Sequence, residues 1–139
     1  MSVQAAICEI LAGDPVISGL VGPRIRPHRA LTTDDRPFIL VKAVERPWGS
    51  LEFGRAASGE ASVVVAAVSD TSEDEAHRIA EAVRSRIPKY LAVKGDRRIT
   101  AAWEDEAEGG WDPVEDGGCN ADWWTETVGL TVHWERVTT

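Results

Sequence analysis

The clearest pattern of apolar and polar positions runs from Ala61 to Tyr90, ASVVVAAVSDTSEDEAHRIAEAVRSRIPKY. From Ala61 to Val68 both alternating faces are apolar: Ala61, Val63, Val65 and Ala67 on one, Val64, Ala66 and Val68 on the other. A strand with one wet face would alternate, so this pattern predicts a strand inside a sheet with both faces largely covered. A helix follows. Ser72 is a favourable N-cap, Glu75 completes the Ser-x-x-Glu spacing of a reciprocal capping box, and Glu73 and Asp74 sit at the positive end of the dipole. Ala76, Ile79, Ala80, Val83 and Ile87 recur at helical spacing as one apolar stripe, and Pro88 marks the close.

The rest of the chain is patterned around this unit. Ser2 can cap a first helix with Val3, Ile7, Cys8, Ile10 and Leu11 as apolar positions, and Gly13 stops it. Asp14-Pro15 is a second start signal, an N-cap followed by proline at the first helical position, so the two pieces read as one broken helix packed on the sheet. Arg24 to Ala30 is a basic stretch in which Pro27 confines the strand to an edge or a bulge. Thr32 to Arg36 reads as a polar turn, and Phe38 to Glu45 as a strand ended by Arg46-Pro47. Arg98 to Glu104 reads as a strand with Ile99, Ala101 and Trp103 on one face. In the last strand Trp124, Val128, Leu130, Val132 and Trp134 share a face, with Glu126 as the exception; the other face, with Thr125, Thr127, Thr131 and His133, is polar enough to meet water or a partner. The expected fold is α+β: a mostly antiparallel sheet of four to five strands packed against one long helix and a broken N-terminal helix. It forms a single domain over residues 1–139, with flexible loops at about 46–59 and 104–121.

Charge changes this picture in one respect. Residues 1–98 carry 14 Lys+Arg against 13 Asp+Glu, while residues 99–139 carry 1 against 10. The whole acid excess of this net −8 chain lies in its last third, which excludes nucleic-acid binding by that segment, because phosphates need cations. The segment 104–121 holds Glu104, Asp105, Glu106, Glu108, Asp112, Glu115 and Asp116 together with two Gly-Gly pairs and keeps no periodic pattern. No run reaches the length of a membrane span, no signal-peptide pattern opens the chain, and Cys8 and Cys119 are too few for a disulfide framework, so a reducing cytoplasmic origin is the simple expectation.

Candidate chemistry is sparse. Asp112, Glu115, Asp116 and Gly117 lack the acid spacing and terminal glutamate of a calcium loop. A carboxylate pair drawn from Glu104, Asp105, Glu106 and Glu108 has no acid-base partner at a fixed position. His28, His77 and His133 have no second ligand at helix or strand spacing for zinc. Neither a nucleophile elbow nor a phosphate-binding glycine loop is present. These readings predict no catalytic residue, no metal and no cofactor. Of the six tryptophans, Trp103, Trp124 and Trp134 fit inward positions, whereas Trp48, Trp111 and Trp123 do not and are candidates for partner contact, as are Arg24, Arg26 and Arg29 on the basic edge.

The order of these motifs resembles the tail terminator, or tail completion, proteins of long-tailed bacteriophages and prophages. The resemblance rests on the segment Asp14 to Ile25, the strand Pro37-Phe38-Ile39-Leu40-Val41, the helix Ser72 to Ile87 with Glu75-Ala76 and Ala82-Val83-Arg84, and the alternating last strand from Val128 to Trp134. It implies a virion protein at the head-proximal end of the tail, assembled in the bacterial cytoplasm. It further implies a ring of identical copies, usually a hexamer, that caps the major tail tube protein, stops its polymerisation and presents a surface to a head completion or connector protein. DNA would pass through the lumen without specific binding, and an acidic 104–121 loop would either line that lumen or face the tube or connector. A head-tail joining protein of the neck is the alternative, and a small metal-binding domain or hydrolase a further one.

Overall fold

A computed structural model describes residues 2–27, 37–48, 58–105 and 124–137 of the chain. Helix α1 spans Val3–Ala12 and helix α2 spans Pro15–Val21, with an 85° bend between them. Strand β1 is Ile25–Pro27, β2 is Phe38–Pro47 and β3 is Ser58–Ser69. Helix α3, Glu73–Arg86, runs into a 3₁₀ turn over Ile87–Tyr90, and β4 (Val93–Lys94), β5 (Arg97–Glu104) and β6 (Trp124–Arg136) complete the chain. Among the described residues no single helix is long and apolar enough to cross a membrane.

The strands form one sheet in the order β1-β2-β3-β6-β5-β4. β1 pairs parallel to β2, and every other neighbour is antiparallel. This overturns the expected architecture. The sheet has six strands and is mixed, strand predominates over helix, and the helical layer is three short helices of 10, 7 and 14 residues rather than one long helix backed by a broken one. The basic edge strand expected around Pro27 is β1, of 3 residues; the added strand is β4, whose 2 residues are too few to leave an alternating signature in the sequence.

β3 lies inside the sheet, between β2 and β6, and is buried continuously from Val63 to Ser69. The helices cover one face. Val3, Ile7, Ile17, Ile79 and Val83 meet Ile39, Val41, Val63, Val65, Leu130 and Val132 in the main core. On the opposite face Phe38, Leu40, Ala66 and Val68 form a second buried cluster. Gln4 ties the layers together: the Ala43 N–H donates to its Oε1 at 3.0 Å.

The helix starts follow the local chemistry. Ser2 Oγ accepts from the Ala5 N–H at 3.1 Å, and Asp14 Oδ1 from the Val16 and Ile17 N–H groups at 2.9 and 3.4 Å. At α3 the expected capping box is half formed. Ser72 Oγ accepts from the Glu75 N–H at 3.1 Å, but the Glu75 carboxylate accepts from the Ser69 hydroxyl at 2.6 Å instead of from the Ser72 backbone. Ser69 Oγ in turn accepts the Thr71 and Ser72 N–H groups, at 3.0 and 3.3 Å. The fully buried end of β3 therefore anchors the start of α3.

Two positions need special backbone chemistry. Gly59 lies where a Cβ would sit 2.5 Å from the Arg46 carbonyl oxygen and 2.8 Å from Trp134 Cζ2. Its bare backbone lets the Trp134 indole settle on β3, where Nε1 donates to the Glu60 carbonyl at 3.2 Å. On the other side of that indole lies Arg97, almost fully buried, with its guanidinium carbon 4.6 Å from the ring centroid and its N–H groups on Glu45 and Asp96.

Candidate interaction surface

Among the described residues the exposed large apolar side chains, Trp124 apart, lie in two places. The first is on the sheet face that carries no helix. Along β2 the residues Val44, Arg46 and Trp48 alternate with inward positions, and along β6 Thr131, His133 and Glu135 do the same. The His133 ring stands between two indoles, edge to face with each. Its centroid is 4.6 Å from that of Trp48 at an interplanar angle of 80°, and 4.8 Å from that of Trp103 at 82°. Trp48 is 45% exposed and Trp103 41%, and Val44 beside them is also exposed. Two ion pairs flank the group, Arg46–Glu60 at 3.6 Å and Arg98–Glu135 at 2.6 Å.

Trp103 reaches this face because of a β-bulge. Ile99 pairs with Trp134 and Ala101 with His133, so Thr100 is an extra residue without a partner on β6. The insertion exchanges the two faces of β5. Ile99 stays in the core, and Trp103, expected beside it, turns to the open side. Trp124 is also corrected. It keeps the parity of Val128, but it lies by the first turn of α3 and is 43% exposed. Of the three tryptophans read as inward, Trp134 alone is buried.

The second place is on the helical side. An open cleft of about 250 Å³ is lined by Ile10, Gly13, Asp14, Pro15, Ala92 and Lys94, with exposed Val16 and Leu91 adjoining it in sequence. Asp14 is fixed in its wall by the two cap bonds and by Arg86 Nε at 3.0 Å. Burial pushes the Asp14 carboxyl up, but the Val16 and Ile17 N–H groups and Arg86 outweigh it and hold the group below its usual range. Near this carboxylate Tyr90 is buried, and its hydroxyl has no hydrogen-bond partner among the described residues; burial, then the charge of Asp14, raises its pKa.

The basic edge expected from sequence is present as β1. Arg24 Nε donates to the Pro37 carbonyl at 2.8 Å, which fastens β1 to the start of β2, and Arg26 pairs in register with Leu40. Arg29 lies outside the described residues, as do Trp111, Trp123, Glu106, Glu108, Asp112, Glu115 and Asp116. Glu104 accepts from Arg84 Nε at 3.1 Å, and Asp105 accepts from the Thr131 hydroxyl at 3.1 Å while its N–H donates to the Gly129 carbonyl at 2.9 Å. These two acids belong to β5 and its end, three strands away from the basic β1–β2 edge. Glu126, the odd residue of the β6 pattern, meets His77 Nδ1 at 3.0 Å and Arg84 at 3.8 Å, so its place opposite α3 is an ionic contact between helix and sheet. No group of three or more His, Cys, Asp or Glu side chains arranged to hold a metal occurs among the described residues.

The two regions are thus an aromatic group on one side of the sheet and, on the other, a cleft lined by both apolar and charged side chains. No family model matches the chain, and no curated protein matches it. Among solved structures it is similar to a chain of the virion of a native gene transfer agent particle, at 18% identity and a TM-score of 0.58, over 97% of this chain and 94% of that one. At that identity the likeness is one of fold, and it extends over nearly the whole of both chains.

Proposed function

We propose that this chain is a structural protein of a phage-like virion, and within it a tail terminator. Copies form a ring, a hexamer in the family it resembles, on the head-proximal end of the tail tube, end tube growth and offer a surface to the head connector. The observation that carries this reading is the fold shared end to end with a virion chain. The order of motifs from Asp14-Pro15 to the alternating last strand supports the finer assignment. The exposed Trp48–His133–Trp103 group suits a protein that works by docking, since tryptophan is enriched where partners bind.

No reactive centre is required of it. The acid excess of residues 99–139 suits a ring through which DNA slides without adhering. Basic β1 and the acidic last third give neighbouring copies opposite charges to bring together.

Particles assembled without this protein test the reading. Tails of variable, overlong length in electron micrographs are expected, with defined length restored by adding it. Tails of normal length that fail to join heads would assign it to the head-tail joint instead, as would purified protein that binds heads and ignores tube ends.

A further inference from the structure

β5 is longer than the strand that covers it. Val93 and Lys94 pair with Arg98 and Arg97, and the Ile99 N–H donates to the Ala92 carbonyl at 2.9 Å. Beyond Ile99 no strand lies on this side of β5 among the described residues. Past the bulge the odd-numbered residues turn their backbone groups to β6, as the Asp105 N–H on the Gly129 carbonyl shows. Successive residues of a strand point these groups to opposite sides, so the N–H and C=O groups of Ala102 and Glu104 point away from β6. The other end of the sheet is closed where β2 outruns β1. There the Ala43 N–H is taken by Gln4 Oε1, and Pro47 has no N–H to offer.

We propose that the Ala102–Glu104 edge is a docking site for an extended segment of another protein, which adds to the sheet as a further strand. The side chains around the edge set the chemistry of that segment. On the open face Trp103 is exposed and pairs best with an apolar side chain. On the helical face Glu81, Glu104 and Glu126 surround Arg84, and His77 also meets Glu126. Three carboxylates thus face one guanidinium and one imidazole, and a basic side chain complements the acid left over. A segment that alternates apolar and basic residues fits both faces. A second copy of this chain fits poorly. Pairing two β5 edges would bring their acidic groups together, β1 offers 3 residues that include Pro27, and the β2 edge is closed. The inference rests on the virion reading only for where the partner is found; the edge and its preference stand or fall separately.

Amide exchange by NMR, with and without a synthetic peptide of alternating valine and lysine, tests this on the purified full chain. In the free chain the Ala102 and Glu104 amides should exchange at least about tenfold faster than those of Ala101 and Trp103, which face β6. The valine–lysine peptide should shift the Ala102 and Glu104 resonances saturably and slow their exchange. A valine–glutamate peptide of the same length should bind about tenfold more weakly or worse. Ala102→Pro removes an outward N–H and no bond to β6, and should abolish binding in a chain that circular dichroism shows to be folded. Glu104→Lys, at an exposed side chain, keeps the backbone edge and should narrow or reverse the preference between the two peptides. Ala102 and Glu104 amides that are already protected in the dilute free chain overturn the proposal. So does protection that grows with the concentration of the chain alone, which would give the edge to a second copy. Failure of the valine–lysine peptide to reach these two amides, or equal binding of both peptides, overturns it as well. Tail length does not enter this measurement, so failure of either reading is seen separately.

Discussion

Asp14 and Arg86 are 72 residues apart in the chain and 3.0 Å apart in the fold, where the N-cap of α2 meets the last turn of α3. One carboxylate thus ends two backbone N–H groups and neutralises a guanidinium that is itself mostly buried. The contact fixes the start of α2 against the end of α3.

Replacing that carboxylate separates its two roles. Asp14→Ala removes the cap and leaves Arg86 unpaired, and should cost about 1–3 kcal/mol. Asp14→Asn keeps a capping oxygen and loses only the charge, so it should cost less. Because the folded state holds the Asp14 carboxyl below its unfolded value, the charge contributes stability above the unfolded pKa and loses it as pH falls through the folded one. Urea unfolding of wild type and Asp14→Asn should therefore differ at pH 7 and converge toward pH 2.

Gly59 and Gly19 should respond in opposite directions to alanine. At Gly59 the new methyl meets the Arg46 oxygen at 2.5 Å and Trp134 Cζ2 at 2.8 Å, so a loss of ~1–3 kcal/mol or more is expected, with a blue-to-red shift in tryptophan emission as Trp134 is displaced. At Gly19, inside α2, nothing lies within 4 Å of the added carbon, and helix propensity predicts a gain of roughly 0.5–1 kcal/mol. Melting temperatures measure both.

His77 should titrate above the ordinary imidazole range, because the Glu126 carboxylate accepts its hydrogen bond and attracts its charge. With a folded pKa above the unfolded one, this contact is at full strength below the unfolded pKa and fades as pH rises through the folded one. Glu126→Gln should lower the His77 midpoint in an NMR titration.

Cys8 sits against the core on α1, and burial pushes its thiol up to about 11. In a Cys119→Ser chain, where it is the single remaining cysteine, alkylation at pH 8 should be slower than for a free thiol by roughly two orders of magnitude. Unfolding in guanidinium chloride should remove the protection. Fast labelling of the folded chain would mean that α1 opens readily from the sheet.

The helix starts and the buried strand were legible because their signals are local, whereas the six-stranded mixed sheet was not. Ser2, Asp14 and Ser72 cap the three helices within three residues of their own positions, and the unbroken apolar run of β3 announces burial on both faces. The contact surface was legible only in part. Trp48 stood out as a tryptophan beyond the end of a strand, and it does lie exposed. Trp103 did not, because the pattern Ile99, Ala101, Trp103 has the period of an ordinary strand, and nothing in the residues of β5 marks Thr100 as unpaired. Trp124 has the right parity for the core, but the core ends before reaching it.

The sequence by itself determined what is decided between neighbours in the chain: where helices begin and stop, which strand is covered on both faces, and where the acid excess lies. Only the tertiary structure decided what depends on partners far along the chain. The bulge that turns Trp103 outward is a mismatch between β5 and β6, and the position of Glu126 is set by His77 and Arg84 on a helix 49 and 42 residues away. The cleft lies where the 85° turn from α1 to α2 comes beside Ala92 and Lys94, an arrangement that no single segment encodes. Backbone capping and side-chain period act over a few residues, whereas register, face and cavity are properties of pairs of elements, and a linear pattern carries no coordinate for the second member of the pair.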